Sequence, residues 1–406
     1  MTSPTTIDLE PACPEAADPA RPADRRLVAV RRPFDAIDPA AWDALAERNP
    51  WATPFARWCF QRSWWDAYGA TAHDQTLVVL DEAAPDAGPV AIVPLMHRHE
   101  VEPTDAADRT GMRAVGAPPL IEVPATAKAV FFGASYHADY ATILAAPEDV
   151  APVARAVVAQ LAAAPDSSDP HPEPWDVVDL RRLRCGDPVG DALCAAFQAR
   201  ARRAGWRVVR EREDVCPVLT LPEGADFDGY LGTLTRKERH EIRRKLRRAE
   251  AAGEVRLVRS PDPLADLGAF VELHQKRWGE AGLFPASPGG EASRHFFRRL
   301  FELCGPDGTV QLHCLWVGDR RIAAGVTFDD GRGLAYYNAG VDPDARELSP
   351  GVLLVAAYIR HAIALGRRRL DFLRGDEPYK YEWGAQDEPI QRLLVRRTRD
   401  HERTAA

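Results

Sequence analysis

SPGVLLVAAYIRHAIALGRRRLDFLRGDEPYKYEW, residues Ser349 to Trp383, decides how this chain is read. Ser349 is a good helix N-cap and Pro350 suits the first helical position, where a missing N–H costs nothing. Gly351 leaves the second position bare, so a ligand can approach the backbone closely. The apolar run Val352 to Leu365 stops at Gly366, the residue type favoured just beyond a helix. Leu370, Phe372 and Leu373 then form a brief strand that ends at Arg374-Gly375-Asp376. A bare helix start beside a strand end favours an anion, because free N–H groups and the helix dipole point at it. A phosphate-bearing ligand is the first expectation.

Composition bounds the rest. A chain of 406 residues exceeds one ordinary domain, so two units of about 200 residues are expected. No apolar run approaches the ~20 residues that a membrane span needs. Residues 1–24 carry neither a basic start nor an apolar core, so they read as a disordered leader and not as a secretory signal. The seven cysteines (Cys13, Cys59, Cys185, Cys194, Cys216, Cys304, Cys314) form no CxxC pair and match no zinc spacing. Reduced thiols, no metal and a cytoplasmic setting fit this pattern. A net charge of −8 argues against a general nucleic-acid binder.

Outward from the opening stretch, the second half reads clearly. Cys216–Leu221 looks like a strand, Asp226–Gly253 a long polar helix and Glu254–Arg259 a short strand. Leu264–Trp278 and Ser293–Cys304 have helical periodicity. Three strands follow at Val310–Val317, Ile322–Phe328 and Leu334–Val341, joined by hairpin chemistry at Gly318-Asp319-Arg320 and at 329–333. The first half repeats this order more weakly. Helices are expected at Ala40–Arg48, Phe60–Tyr68, Glu148–Ala163 and Asp191–Ala204. Strands are expected at Thr76–Leu80, Val90–Met96, Trp175–Leu180 and Trp206–Arg210, with a Pro-rich connector at 165–174. The fold class is therefore α/β (α+β), with two mixed sheets flanked by helices. The units run from 25 to 222 and from 223 to 400.

Three segments carry a family resemblance: TLTRKERHEIRRKLRRAEAAG (Thr233–Gly253), LHQKRWGEAG (Leu273–Gly282) and the stretch from Leu348 to Trp383. Together they resemble the FemAB-like double-GNAT acyltransferases of the CelD (BioF2-like) type. The resemblance implies tandem GNAT folds and acyl transfer from a thioester, acetyl-CoA or another acyl-CoA, to an amine or hydroxyl. It places the pyrophosphate at Leu348, Ser349, Pro350, Gly351 and Val352. Arg346-Glu347-Leu348-Ser349-Pro350-Gly351 departs from the glycine-rich Q/R-x-x-G-x-G/A loop usual there, and Glu347 repels a phosphate unless it points away. In the first half the corresponding position reads Ala146-Pro147-Glu148-Asp149, where two carboxylates already occupy the helix dipole. One active centre is expected, in the second half, with the first half walling the acceptor cleft.

Acyl transfer needs a donor to polarise the carbonyl, a base for the acceptor's proton and an acid for the leaving thiolate. The resemblance puts the carbonyl contacts on Tyr336-Tyr337-Asn338-Ala339-Gly340. Strand alternation sends Tyr336 and Asn338 to one face and Tyr337 to the other; both tyrosines also read as half-buried strand residues. Tyr379 stands where GNAT enzymes often hold the leaving-group acid, and a phenol is protonated at neutral pH. Asp376 and Glu377 are candidate bases, or simply the acidic start of a helix. Lys380 either binds an anionic group or pairs with one of these acids. Arg374, Arg277 and Trp278 are substrate-binding candidates, as are Arg236 and Arg239 of the basic helix 236–248. That helix holds eight Arg or Lys against two Glu, +8 − 2 = +6. It reads as a solvated face or as a polyanion platform. His313 reads as a packed polar strand residue.

The expected function is transfer of an acyl group from CoA to a cell-envelope or polysaccharide-type precursor or another small acceptor. Two alternatives stay open. One is a Fem-type, aminoacyl-tRNA-dependent peptidoglycan-precursor transferase, the only reading with a nucleic-acid partner. The other is a non-catalytic GNAT scaffold that binds a polyanion.

Overall fold

A computed structural model describes residues 25–98, 120–124, 126–163 and 175–397. The expected leader and the 165–174 connector lie outside them. The first half opens with β1 (Leu27–Arg31), α1 (Pro39–Arg48) and α2 (Trp58–Tyr68). Short strands follow: β2 (Ala72–Asp74), β3 (Leu77–Asp81), β4 (Ala91–Val93), β5 (Leu95–Arg98), β6 (Ala129–Phe132) and β7 (Leu144–Ala145). Then come α3 (Val150–Ala162), β8 (Val177–Arg184), α4 (Pro188–Ala204) and β9 (Trp206–Thr220). The second half runs through α5 (Phe227–Gly232), α6 (Arg236–Ala252), β10 (Val255–Arg259), α7 (Pro263–Trp278) and α8 (Pro288–Cys304). It continues with the meander β11 (Val310–Val317), β12 (Arg320–Asp329) and β13 (Gly333–Val341). It closes with α9 (Pro350–Ala364), β14 (Arg369–Asp371), α10 (Pro378–Glu382) and β15 (Gln386–Arg397).

Two expected boundaries change. The polar helix at 226–253 is two helices, because Thr235 and Glu238 form a reciprocal capping box that starts α6 afresh. The strands expected at 206–210 and 216–221 merge into the single 15-residue β9. That strand ties the halves together. It pairs with β14 at one stretch and with β15 along its length, while β15 also pairs with β8. The sheet therefore runs β10-β11-β12-β13-β14-β9-β15-β8-β6-β5-β2, and β1-β3-β4-β7 forms a second sheet. Among the described residues each half holds one parallel strand pair, β6 with β8 and β13 with β14, crossed over by α3 and α9 respectively.

Burial follows this arrangement. Phe55 and Phe60 of the first half stack edge-on with Phe328 (5.2 Å) and Phe296 (5.5 Å) of the second. Such pairs add roughly 0.5–1.5 kcal/mol each beyond area burial. In the shared sheet, Arg392 of β15 meets Asp179 of β8 at 2.6 Å with both side chains fully buried. Arg182 meets Glu213 at 2.9 Å in the same way. Neither pair tolerates loss of one partner, since the other is left as a buried charge. Cys59 of α2 and Cys304 of α8 form a disulfide across the halves, with Cα atoms 5.6 Å apart. This corrects the expectation of reduced thiols throughout. Residues 245 positions apart in sequence gave no spacing signal for it.

The feature that shapes the molecule's centre lies where β14 ends. β13 and β14 pair in parallel only over Gly333–Arg369, Leu334–Leu370 and Ala335–Asp371, and then part. Beyond Asp371 the chain stays with β9: the Phe372 N–H donates to the Pro217 carbonyl and the Gly375 N–H to that of Val215. Leu373 takes a left-handed φ of 57°, fixed by its N–H to Asp371 Oδ1 (2.8 Å). The buried Lys380 then donates to the carbonyls of Leu373 (3.2 Å), Arg374 (3.0 Å) and Gly375 (2.8 Å). Its ammonium also pairs with Glu377 Oε2 at 2.8 Å. With three donors and four acceptors, it has no capacity left for a substrate anion. Lys380 is therefore a stitch that holds the two strands apart; of the two readings, pairing with an acid is the one observed.

Three outcomes follow. Alkylation of the denatured, unreduced protein should label five cysteines, the seven of the chain less the bridged two; labelling of all seven would remove the bridge. Lys380→Met should lower the unfolding free energy by about 3 kcal/mol, measured by urea titration, because it orphans three carbonyls and a carboxylate. Burial pushes His274 down to about 4 and His313 down to about 3. Both are held neutral when folded and charge freely when unfolded. Their contribution is thus complete above pH 6.5 and is lost as pH falls toward 4, at about 1.4 kcal/mol per pKa unit for each. Urea midpoints from pH 7 to pH 4 should fall, and less steeply in His313→Leu.

Candidate active site

The parting of β13 and β14 opens a cavity of about 410 Å³ at their C-terminal ends. Tyr336, Tyr337, Asn338 and Ala339 of β13 form one wall. Phe372, Arg374, Glu377, Tyr379 and Lys380 form the opposite one. His274, Arg277 and Trp278 of α7, the following 281–283 turn and Tyr136 of the first half complete the lining. From Tyr336 onward β13 is paired with β12 on one edge only, so alternate backbone groups of its other edge face the gap.

Residues 334 to 337 of β13 alternate between two cores, and a bulge follows in the register. The β12–β13 register slips between Val326 and Thr327, which face Asn338 and Tyr336, so Tyr337 is an extra, bulged residue. Tyr336 packs on Tyr358 and Phe372 while Tyr337 packs on Phe297 and Phe328, so the two rings leave opposite faces as alternation predicts, and both border the cavity with Asn338 at the open strand edge. Tyr337 Oη donates to the His137 carbonyl (3.0 Å) and lies 3.1 Å from His137 Nδ1. Its proton being committed there, His137 Nδ1 must be the donor to Tyr337 and Nε2 the acceptor. Tyr68 Oη, 2.8 Å from Nε2 and 2.9 Å from Ser293 Oγ, extends this chain. Buried groups of both halves thus hold the bulged strand in place.

The cavity suits proton donors. Burial pushes the Tyr336 phenol up to about 12, with Arg277 pulling it partly back. Burial of the Tyr379 phenol raises it further, and Tyr336 and Glu377 add repulsion. Its ring edge meets Phe372 at 5.9 Å while 37% of the residue stays exposed. Arg277 stacks on Trp278 at 4.6 Å, at the end of α7. That helix sits close because Gly340 lacks a side chain: a Cβ there would lie 2.2 Å from the His274 nitrogen. Arg374 reaches toward Asp139 of the first half at 3.5 Å, and burial lowers its guanidinium from the usual range, Arg182 adding to the effect. Glu377 is the N-cap residue of α10 and presents its carboxylate beside Gly375, where a Cβ would lie 2.7 Å from Oε2.

Of the expected site residues, Tyr336, Asn338, Arg277, Trp278, Arg374, Glu377, Tyr379 and Lys380 line the cavity. Asp376 is buried but does not line it, and Arg236 and Arg239 lie outside it on α6. Leu348–Val352 lie outside the lining too, at the start of α9, reached from the C-terminal end of β13. Strand ends of this kind, with a helix starting beside them, are where α/β sheets hold ligands. Ser349 is not a conventional cap. It sits at φ 57°, its side chain caps nothing, and its Oγ accepts from Arg248 Nη2 at 2.8 Å. A Cβ on Gly351 would meet nothing within 4 Å, so the backbone there is open. Glu347 turns toward Arg320, 4.0 Å away. Sequence reasoning missed Tyr136, named His274 only within the 273–282 segment without a role, and left Arg248 in a basic run with nothing to single it out. Among the described residues no group of three or more His, Cys, Asp or Glu is placed to hold a metal ion.

Comparison with known proteins agrees with this geometry. Residues 236–381 match the acetyltransferase (GNAT) domain family. No curated protein matches the chain. The crystal structure of FemX superposes with a TM-score of 0.55 at 10% identity, over 89% of this chain and 96% of that one. A conserved protein of unknown function from Bacteroides thetaiotaomicron gives 0.51 at 11% identity, over 89% and 98%. A tandem GNAT protein from the clavulanic acid biosynthesis pathway gives 0.43 at 11%, over 92% and 98%. With its crossover helix and parted strands, the segment 236–381 is a GNAT-type domain, and the chain as a whole shares its fold with FemX.

Proposed function

We propose that the cavity between β13 and β14 transfers an acyl group, acetyl in the simplest case, from an acyl-CoA thioester to an amine or hydroxyl. The free edge of β13, facing two protonated phenols and a carboxylate, is the observation that carries this reading. Backbone N–H groups of 336–340 polarise the thioester carbonyl and stabilise the charge that develops on its oxygen. Glu377 takes the proton of the acceptor, whose nitrogen or oxygen bonds to the acyl carbon as the C–S bond breaks. Tyr379, with Tyr336 beside it, returns a proton to the leaving thiolate. Arg374, Arg277 and Trp278 line the acceptor side. Leu348–Val352, with Arg248 at hand, receive the donor's phosphates through the open first turn of α9. The acceptor class is a cell-envelope or polysaccharide-type precursor, and the setting is the cytoplasm. The two GNAT units divide at 222/223, and the cofactor site is degenerate in the first.

Among the described residues no helix is long and apolar enough to cross a membrane. CoA at about 100 times its Kd should stabilise the protein by about 2.7 kcal/mol, read as a rise in Tm. Gly351→Glu should abolish that rise and leave the unliganded Tm within a degree or two, since its side chain enters open space. An unchanged rise would remove the α9 assignment. Tyr379→Phe should lower kcat by roughly 10²–10⁴ with CoA binding retained; full turnover would exclude its acid role.

A further inference from the structure

The mechanism leaves one strongly charged surface without a role. Arg236, His240, Arg243 and Arg247 fall at i, i+4, i+7 and i+11 of α6 and are all exposed, so they form one stripe along the helix. Lys237 and Arg244 lie on the stripe beside it. The opposite face, Ile242, Leu246 and Ala249, is buried and fixes the helix in the fold. The chain carries −8 and residues 236–248 carry +6, so everything else carries −14. Among the described residues two of these cations have carboxylate partners at hydrogen-bond distance, Arg243 with Asp228 and Arg244 with Glu241, each at 2.8 Å and exposed. Such pairs are worth little and exchange readily. Arg236, Lys237 and Arg247 have no ion pair among the described residues.

The ends of α6 locate this stripe. At its C-terminal end Arg248 donates to Ser349 at the start of α9. Just before its N-terminal end, Tyr230 donates to the Trp383 carbonyl at 2.5 Å, and Leu234 packs at Gly384, directly after α10. The helix therefore runs from the proposed phosphate end of the cleft to the helix that bears Tyr379. The first turn of α9 is also sparing in donors. Pro350 has none, and the Val352 and Leu353 N–H groups both turn to the Ser349 carbonyl (3.0 and 3.2 Å). Gly351 is left as the open donor, which suits one phosphate better than a pyrophosphate.

We infer that α6 docks an acidic, helical carrier protein that presents the acyl group as a thioester on a phosphopantetheine arm. This rests on the acyl-transfer reading above and moves its pantetheine thioester from CoA to a protein-borne arm. The arm's single phosphodiester meets Gly351 and Arg248, and its thioester enters the gap beside β13. The C–S bond of the arm breaks, the C–N or C–O bond to the acceptor forms, and the acceptor's proton ends on the freed thiol. The 13 residues of the basic stretch span about 20 Å, roughly four turns, the length of one facing helix. Cations at three- and four-residue spacing complement carboxylates at the same spacing on such a helix. A nucleic acid fits less well. The stretch has no Phe, Tyr or Trp on which a base could stack, and the −14 of the remaining molecule repels a long polyanion.

The test is fluorescence anisotropy of an acyl carrier protein labelled on its phosphopantetheine thiol, titrated with wild type and with Lys237→Glu/Arg247→Glu. Binding that weakens about tenfold or more in the double variant, and also weakens as salt rises, supports the docking face. An unchanged CoA-induced Tm rise in the variant shows that its fold and cleft are intact. No binding, or binding indifferent to the charge reversal, overturns the inference even if acetyl-CoA is turned over. Equal kcat/KM for acetyl-CoA and the acetylated carrier protein overturns it as well. So does tRNA that binds wild type but not the variant while the carrier protein binds neither. If carrier binding is charge-dependent but no acyl group moves from either donor, the docking face stands and the acyl-transfer reading falls.

Discussion

The organisation of the cleft depends on how Lys380 is satisfied. A parallel ladder between β13 and β14 that simply continued would leave no room for a ligand. Instead the chain after Asp371 follows β9, and the carbonyls of Leu373, Arg374 and Gly375 bond to a buried ammonium in place of a neighbouring strand. Unpaired buried carbonyls would be costly, so the separation persists only because a cation stands within reach of all three. The opposite edge of β13 is thereby kept free, and a free strand edge inside a cavity is a ready set of aligned donors. Glu377 balances the same ammonium and faces the cavity, so the group that holds the strands apart also sets the position of the proposed base.

Two halves are needed for this arrangement. β15 comes last in the chain yet lies between β8 and β9, and buried Arg392–Asp179 and Arg182–Glu213 pairs fix it there. β9 in turn is what β14 and the following loop follow. On the other side, His137 from the first half bonds the bulged Tyr337, and Asp139 draws Arg374. The cleft is therefore composite: its open strand edge belongs to the second half, while its alignment comes from both. The Cys59–Cys304 bridge and the Phe55, Phe60, Phe296 and Phe328 cluster reinforce the same junction.

Much of this was legible from residues alone. Pro350, Gly351 and Gly366 mark α9 because their constraints are local, and α9 runs from Pro350 to Ala364. The meander strands and α7 were likewise visible, because period and turn chemistry act over a few residues. Ser349 shows the limit. Its residue type predicts a capping side chain, but Arg248, a hundred positions away, engages its hydroxyl and its backbone is left-handed. Lys380 was legible as an ion-pair partner of a nearby acid and not as a donor to three carbonyls, because those carbonyls converge only once β14 turns away.

What the sequence by itself determined is the set of elements and their order, the helix start beside a strand end, and the concentration of positive charge on α6. Each follows from spacing and residue type within a few turns of chain. The tertiary structure decided which residues meet. It tied Tyr337 to His137 of the first half, engaged Lys380 with three backbone carbonyls, left Arg236 and Arg239 outside the cleft, and joined Cys59 to Cys304. The physical reason is common to these cases. A side chain's partners are set by the register and parting of strands far apart in sequence, and a slip of one residue turns a side chain to the opposite face.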